Sequence, residues 1–361
     1  MTLSGLQRLK ELPGPILVTG HTGFKGTWAT LLLEFLNIPV VGYSLEPTQE
    51  SLFNKVNPSN LYASQIADIR DKDSLAKFIK SVKPSAVIHL AAQPLVIESY
   101  RTPLETFETN VIGTANLLSV ARDLDSIQGI IAVTTDKVYE NQNNGRRFIE
   151  SDSLRGKDPY SASKVATEAV IAAWQQIIEI NGGQKITAVR AGNVIGGGDM
   201  ADNRLIPDVI RGIKFSENVE IRNPNSTRPW QHVLDPLFGY LMTLEYQFSR
   251  GLIDALNFGP NEKSLSVGAV VEIIKTEWPD CVEFIYPNAD FEIPQLESLN
   301  LDLDSKRART TLGWVPTWNQ ETAIKASISW WRDVLTKKMS EAEACLNDIK
   351  VINSFQLKNE L

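Results

Sequence analysis

The chain has 361 residues, of which 43% are hydrophobic and 22% are charged, the composition of a globular enzyme rather than of a disordered or fibrous chain. Its net charge of −7 argues against nucleic-acid or anionic-membrane partners. Two cysteines and three scattered histidines exclude a disulfide framework and disfavour a metal site. Residues 1–11 lack the apolar segment of a signal peptide, and no run reaches the roughly 18 apolar residues of a membrane span. We therefore expect a cytoplasmic protein without a metal.

A glycine-rich turn follows the first predicted strand. The apolar run 15–19 leads into Gly20, Gly23 and Gly26, and apolar residues then recur at helical spacing over 27–36. Strand, glycine turn and helix in this order are typical of dinucleotide-binding folds, in which the helix N-terminus binds a pyrophosphate. An ordinary strand-to-helix turn is the alternative. We predict that a dinucleotide contacts the turn at Gly20, Thr22, Gly23, Phe24 and Gly26.

The ends of the next two predicted strands bear on the adenosine half of such a cofactor. The second strand ends in Ser44, where NAD-binding proteins of this type carry Asp or Glu, and Glu46 comes slightly late. The residues alone therefore leave NAD and NADP both open. Asp68 closes the third strand, with Ile69 after it. Asp68 either contacts the adenine or caps the helix predicted at 72–83, for which Asp71 is the other candidate.

The fourth predicted strand, 84–92, ends in Leu90, Ala91 and Ala92, and small residues there allow a cofactor to lie against the backbone. His89 lies within this apolar run and is predicted to be a packed core histidine. Asn110 falls inside a helix predicted at 103–124, where asparagine is unfavourable. It either links the helix backbone to an active-site lysine through water or faces solvent.

Candidate catalytic residues follow the fifth strand, 129–135. The strand delivers Thr135, Asp136 and Lys137 at its carboxyl end, the edge at which ligands bind in open parallel sheets. A solvated turn is the alternative for Asp136 and Lys137. The helix predicted at 159–180 places Tyr160 and Lys164 on one face. A lysine ammonium near a phenol lowers the pKa of the phenol, which would make Tyr160 a base nearer neutral pH.

The strand–helix alternation becomes irregular after residue 192. We predict a dinucleotide-binding domain over 1–192, to which a strand near 254–259 returns, a smaller lobe over 193–335 and a tail over 336–361. Arg204, Arg222 and Arg228 concentrate positive charge in this lobe, and guanidinium groups bind a diphosphate bidentately. Surface arginines that balance an acidic chain are the alternative.

Three of these motifs in order, namely Gly20-x-x-Gly23-x-x-Gly26, Thr135 and Tyr160-x-x-x-Lys164, resemble the extended short-chain dehydrogenase/reductase superfamily. Within it the chain is similar to the CDP-glucose dehydratases over about residues 16–331. The segments that carry this likeness are TGHTGFKG (19–26), AAQPLV (91–96), TDK (135–137), RAGNVIGGGD (190–199) and RPWQHV (228–233).

The resemblance implies a fold, a cofactor and partners. It implies an α/β protein with a doubly wound parallel sheet, the Rossmann fold, that binds NAD at the sites already named, Asn110 included, and a smaller C-terminal α/β lobe that binds CDP-glucose. It also implies a homodimer through helices 103–124 and 159–180 and a place in deoxysugar and O-antigen biosynthesis. The substrate contacts that it implies are Gln93, Asn193, Arg204, Leu205, Arg222, Arg228 and His232.

The resemblance further implies an internal redox cycle with net loss of water. Tyr160 would remove the 4-hydroxyl proton, with Lys164 and Thr135 supporting it, and Asp136 would protonate the departing 6-hydroxyl. Lys137 stands where many related dehydratases carry Glu, and it can act as the C5 base only if its pKa is depressed. Three alternatives stay open: a nucleotide-sugar 4-epimerase, a dehydratase of another nucleotide sugar, and a dinucleotide sensor without activity.

Overall fold

The computed structural model describes residues 5–58, 61–286 and 300–358. Its strands are β1 (Ile16–Thr19), β2 (Val40–Ser44), β3 (Leu61–Ile66), β4 (Ala86–His89), β5 (Gly129–Val133), β6 (Lys185–Ala191), β7 (Val194–Ile195), β8 (Val219–Glu220), β9 (Thr227–Arg228), β10 (Gln231–His232), β11 (Ala255–Phe258), β12 (Leu265–Ser266) and β13 (Phe284–Ile285). Seven of them form a parallel sheet in the order β3, β2, β1, β4, β5, β6, β11.

Helices connect the strands and cover both faces of the sheet. They are α1 (Gln7–Lys10), α2 (Phe24–Phe35), α3 (Leu52–Val56), α4 (Lys72–Val82), α5 (Val96–Arg101), α6 (Pro103–Phe107), α7 (Gly113–Arg122), α8 (Pro159–Asn181), α9 (Leu205–Phe215), α10 (Leu234–Ser249), α11 (Val267–Glu277), α12 (Lys306–Leu312), α13 (Gln320–Leu335) and α14 (Glu341–Lys358). A π-helix, Glu108–Ile112, joins α6 to α7, and a 3-10 helix, Asp136–Val138, follows β5.

Successive residues of each central strand enter two different cores, because side chains alternate across a sheet. Ile16 and Val18 of β1 pack on the face covered by α2, α10, α13 and α14, whereas Leu17 packs on the face covered by α4, α7 and α8. Ile131 and Ile130 of β5 divide in the same way. The sheet is therefore buried on both sides, and the predicted doubly wound α/β fold is confirmed.

The smaller lobe is built from short strand pairs around α9 and α11. Strand β8 pairs with β13 and β9 pairs with β12, while β7 pairs with β10 beside the main sheet. The chain then returns to the sheet, where β11 lies parallel to β6 with Leu256 opposite Val189. None of the helices in the described parts of the chain is long and apolar enough to cross a membrane.

Gly197 joins the N-terminal and C-terminal parts of the chain. Its carbonyl oxygen accepts a hydrogen bond of 3.0 Å from Nε1 of Trp28 on α2. On its other side the ring of Trp330, from α13, is so close that an added Cβ would lie 1.9 Å from Trp330 Cδ2. Only glycine therefore lets the two buried tryptophans close over this turn.

This packing makes a stability prediction. Gly197→Ala should lower the free energy of unfolding by about 1–3 kcal/mol, because the methyl group overpacks a buried contact. The control is Gly268→Ala on α11, whose Cβ would meet its nearest atom, Pro224 O, at 3.3 Å, so its free energy of unfolding should change much less than that of Gly197→Ala. Guanidinium denaturation of both variants measures the difference. Equal stabilities would show that the turn at Gly197 relaxes at little cost.

Candidate active site

A cavity of about 900 Å³ opens at the carboxyl ends of the parallel strands. Its walls come from the glycine turn after β1, the ends of β2 to β5, the first turn of α8 and the start of the smaller lobe. The predicted residues that line it are Gly20, Thr22, Gly23, Phe24, Gly26, Asp68, Ile69, Leu90, Ala91, Ala92, Thr135, Asp136, Lys137, Tyr160, Lys164, Asn193, Arg204, Leu205, Arg222 and Arg228. The fold thus brings both predicted halves of the site together.

The glycine turn is shaped to receive a pyrophosphate. Gly20 has φ +75°, and a Cβ on Gly26 would lie 2.0 Å from Gly20 O, so a side chain at either position would distort the turn. Thr22 Oγ1 fixes the turn to the end of β2 through Ser44 Oγ at 2.7 Å and Leu45 O at 2.9 Å. The N-cap Gly23 provides no side-chain hydrogen bond to the first turn of α2, which leaves its N–H groups for a phosphate. The turn therefore fits a dinucleotide.

Asp68 and Ile69 line the cavity just after β3. The Asp68 carboxylate accepts hydrogen bonds from the backbone N–H and the guanidinium of Arg70, at 2.8 and 2.6 Å, and these bonds lower its pKa. Asp71, not Asp68, caps α4 by accepting the Ser74 N–H at 3.0 Å. That resolves the choice of cap left open by the sequence.

Asp136 is a buried carboxyl group with one oxygen unused. Its Oδ1 accepts a hydrogen bond of 3.1 Å from Thr135 Oγ1, while its buried Oδ2 has no hydrogen-bond partner among the described residues. Burial raises the pKa of Asp136, against the opposing charge of Lys137 and the bond from Thr135. Both features favour a protonated carboxyl group that can donate to a ligand in the cavity.

Tyr160 and Lys164 both line the cavity, but their ionisation differs from the prediction. Burial raises the pKa of Tyr160 to about 12, and the Thr135 hydrogen bond and the Arg204 charge lower it only partly. The Lys164 ammonium donates to Val133 O at 3.1 Å, and burial lowers its pKa to about 8. The predicted lowering of the Tyr160 pKa is therefore wrong for the protein alone, because desolvation outweighs the neighbouring charges.

The backbone of Tyr160 is held by two serines that the sequence did not single out. Its N–H donates to Ser99 Oγ at 3.0 Å, and its carbonyl oxygen accepts from Ser163 Oγ at 2.7 Å. Asn110 completes the arrangement, because its Nδ2 donates to Ser163 Oγ at 2.9 Å. Asn110 lies in the π-helix, and such turns are frequent at functional sites. The helix-unfavourable asparagine was the one signal for this arrangement in the sequence.

Three predicted contacts are not brought to the cavity walls. Asn110 is fully buried behind them and neither faces solvent nor the cavity. Gln93 is turned inward, where its N–H donates to Asn110 Oδ1 at 2.8 Å and its Nε2 donates to Thr106 Oγ1 at 2.9 Å. His232 is fully buried, with Nε2 at 3.3 Å from Asp348 Oδ2 of α14. All three connect elements behind the site.

The cationic side of the cavity is formed by the smaller lobe and by one residue that the sequence did not single out. Arg204 Nη1 lies 3.4 Å from Asp199 Oδ2, Arg228 is buried and Arg222 is exposed. Lys25, inside the glycine turn, also lines the cavity. Burial and the nearby charges of Arg204 and Lys164 lower the pKa of Lys25 to about 8. His89, in contrast, is the predicted core histidine, bonded to Thr19 and Thr114.

A doubly wound sheet with a glycine turn, a tyrosine and a lysine at its carboxyl edge defines a dinucleotide-binding protein of the short-chain dehydrogenase/reductase type. The comparison with protein families agrees with this class. The chain belongs to the NAD dependent epimerase/dehydratase family, whose model matches residues 16–256. The predicted family and cofactor are thereby confirmed.

Individual relatives cover nearly the whole chain. It is 40% identical over 324 residues to the CDP-glucose 4,6-dehydratase of Salmonella typhimurium, covering 87% of this chain and 89% of that protein. It is 26% identical to dTDP-glucose 4,6-dehydratase 1 of Escherichia coli, covering 88% and 92%. The fold matches the crystal structure of UDP-glucose-4-epimerase from Stenotrophomonas maltophila with a TM-score of 0.78, at 21% identity over 90% of this chain and 100% of that one.

Proposed function

We propose that this protein is a CDP-glucose 4,6-dehydratase that converts CDP-glucose to CDP-4-dehydro-6-deoxyglucose and water. The observation that carries the proposal is the buried carboxyl group of Asp136, which lines the same cavity as Tyr160 and Lys164, has no hydrogen-bond partner for Oδ2 among the described residues, and has its pKa raised by burial. An acid at this place is required for loss of a hydroxyl group. The 40% identity to the Salmonella enzyme supports CDP-glucose as the substrate.

The cofactor side of the cavity suits NAD. When bound, NAD accepts a hydride from C4 of the sugar and returns one to C6. The glycine turn and the N-terminus of α2 would hold its pyrophosphate, and Asp68 with Ile69 would lie at its adenine. In the range 44–52, the cavity-lining residues are Ser44, Leu45, Glu46, Pro47, Thr48, Ser51 and Leu52, so no cation in this range faces a 2′-phosphate. This supports NAD over NADP.

Tyr160 would act on the 4-hydroxyl group of the sugar. Its phenolate accepts the proton of the 4-hydroxyl group, and Thr135 forms a hydrogen bond with the same hydroxyl group. The Lys164 ammonium stabilises the negative charge of the phenolate. Because its pKa is about 12, the phenolate is the minor form at neutral pH. Turnover should therefore rise with pH until Lys164, with a pKa of about 8, loses its own charge.

Asp136 and Lys137 would act on C5 and C6. The 4-keto group acidifies the C5 proton, which a base removes, and water leaves from C6 after Asp136 protonates the hydroxyl oxygen. When hydride is added at C6, the base returns a proton to C5. Lys137 lines the same cavity and follows Asp136 in the same turn, so we propose it as the C5 base, a role that requires its neutral amine form. Arg204, Arg222 and Arg228 would hold the diphosphate, with Asn193 and Leu205 beside them.

A nucleotide-sugar 4-epimerase is the second candidate, because an epimerase structure shares the same fold. An epimerase would use Tyr160 and Lys164 in the same way. It loses no water, however, and would leave the buried carboxyl group of Asp136 without a role. A dinucleotide sensor without activity would leave Asp136, Tyr160 and Lys164 all without a role.

CDP-glucose labelled with deuterium at C4 distinguishes these functions. A dehydratase should yield a product lighter by one water that keeps the deuterium, now on C6, as read by mass spectrometry and NMR. An epimerase should return the label to an inverted C4 without a change of mass. No reaction with CDP-glucose, but turnover of dTDP-glucose or UDP-glucose, would reject the proposed substrate and keep the reaction class.

Asp136→Asn tests the role of the acid. The variant should retain C4 oxidation, seen as absorbance of the reduced nicotinamide, but form the dehydrated product about 10²-fold more slowly or worse, because the general acid is lost. Asp235→Asn is the control, since Asp235 is a buried carboxyl group of α10 away from the cavity walls. Wild-type turnover by Asp136→Asn would remove Asp136 from the mechanism.

Domains, assembly and location remain proposals. We keep the boundaries at 192 and 335, and the two free cysteines support a cytoplasmic location. Deoxysugar and O-antigen biosynthesis is the context in which such a product would be used. A homodimer through the helices predicted at 103–124 and 159–180 is supported by exposed apolar side chains on the first of them, including Leu104 at 71% and Ile112.

The assembly is tested by Leu104→Glu. A charge at the centre of the proposed interface should convert the dimer to a monomer in sedimentation velocity. Tyr62→Glu on β3, where Tyr62 is 76% exposed and outside these helices, is the matched control and should remain dimeric. A monomeric wild type would exclude the homodimer. A dimeric Leu104→Glu would place the interface elsewhere.

A further inference from the structure

A buried ion pair lies directly behind the catalytic side of the cavity. Glu168 of α8 and Arg190 of β6 are 7% and 4% exposed. They form a two-pronged contact, with Arg190 Nε at 2.8 Å from Glu168 Oε1 and Nη2 at 2.9 Å from Oε2. Neither residue lines the cavity. Burying two charges is costly even when they are paired, so the pair is poorly explained by stability alone.

The pair is bonded to both ends of the segment that carries the candidate catalytic residues. At the start of the segment, Thr134 Oγ1 donates to Glu168 Oε1 at 2.6 Å. At its end, Arg190 Nη1 donates to Tyr139 OH at 2.8 Å, and its guanidinium lies 5.1 Å from the centre of the Tyr139 ring. The turn 135–138 is therefore held at both ends by contacts to the same ion pair.

Tyr139 is in turn fixed to the returning strand. Its hydroxyl group donates to Asn257 Oδ1 of β11 at 2.7 Å, and Asn257 Nδ2 donates to Phe148 O at 3.0 Å. The Tyr139 ring stacks on Phe148 at 4.9 Å between centroids. These contacts leave the far end of the turn little freedom, so the position of Asp136 follows from the ion pair and its neighbours.

Glu168 also acts on Lys164, which lies four residues earlier on the same helix face. Its negative charge raises the pKa of Lys164 and opposes the lowering that burial causes. The other titratable or charged groups around Lys164 are Tyr160 one turn earlier, His89 on β4, whose pKa burial lowers to about 3, Lys25 on α2, Asp136 in the same cavity wall, whose pKa burial raises, and Arg190, which is paired with Glu168.

We propose that Glu168 is a positioning residue with two tasks: it holds the turn 135–138 in place through Thr134 and Arg190, and it places a carboxylate one helical turn from the Lys164 side chain. The inference rests on the proposed function for the meaning of both tasks. The contacts of Glu168 that support it do not depend on the identity of the substrate.

Glu168→Gln separates the charge from the shape of the side chain. The Lys164 ammonium should lose its proton about one pH unit lower in the variant, because an anion close to it is removed. Competitive labelling with acetic anhydride, read at Lys164 by peptide mass spectrometry, measures this midpoint without substrate. In parallel, the alkaline fall of kcat/KM for CDP-glucose should move to lower pH by the same amount.

Glu245→Gln is the matched control. Glu245 is a buried carboxylate of α10 that accepts the N–H groups of Arg8 and Leu9, at 3.2 and 3.1 Å, and it does not line the cavity. This variant should be destabilised while both the Lys164 midpoint and the pH profile stay at their wild-type values. Glu168→Asp, which restores the charge, should move the midpoint back towards the wild type.

The failures of the two proposals are distinguishable. An unchanged Lys164 midpoint in Glu168→Gln overturns the inference, whether or not CDP-glucose is turned over. If the wild-type protein does not turn over CDP-glucose but Glu168→Gln still lowers the Lys164 labelling midpoint, only the proposed substrate is overturned.

Should Glu168→Gln not fold, Thr134→Val takes its place. This variant removes one contact to Glu168 and leaves the ion pair intact, so kcat should fall about tenfold or more with KM unchanged, because the turn shifts. An unchanged kcat would overturn the positioning role.

Discussion

The reversal of strand order beside β1 is the constraint on which the site depends. Because β1 has β2 on one side and β4 on the other, the chain crosses over in opposite directions on its two sides and leaves a crevice at the carboxyl ends. The glycine turn, residues 90–92 and the turn 135–138 all follow strands that end there. Close packing fixes the distance between two of them, since a Cβ on Gly20 would lie 2.8 Å from Ala91 N.

Desolvation controls the ionisation of this crevice more than the pairwise charges do. It raises the pKa of the acids Asp136 and Tyr160 and lowers that of the bases Lys25 and Lys164. All four shifts favour the neutral form. Desolvation therefore removes negative charge from the end where the sugar would react, while the lysines, with pKa values of about 8, remain mostly charged at neutral pH and the arginines of the smaller lobe stay fully charged. The division suits a ligand that is neutral at one end and doubly anionic at the other.

The predictions from sequence succeeded where the chain determines the structure locally. The glycine turn and the spacing of Tyr160 and Lys164 depend on a few adjacent residues, and both appear in the cavity wall. Gln93 and His232 depend instead on where distant partners lie, and the sequence does not specify which way a side chain turns. The Tyr160 pKa was misjudged for a similar reason, because a neighbouring lysine is visible in the sequence but burial is not.

The seventh strand of the sheet has a consequence for biosynthesis of the chain. Strand β11 covers the edge of β6, yet residues 192–254 lie between them. During translation β6 is therefore an open sheet edge until residues 192–258 have left the ribosome, and such edges pair readily with other chains. The seven-stranded sheet is thus completed only after part of the smaller lobe has been synthesised.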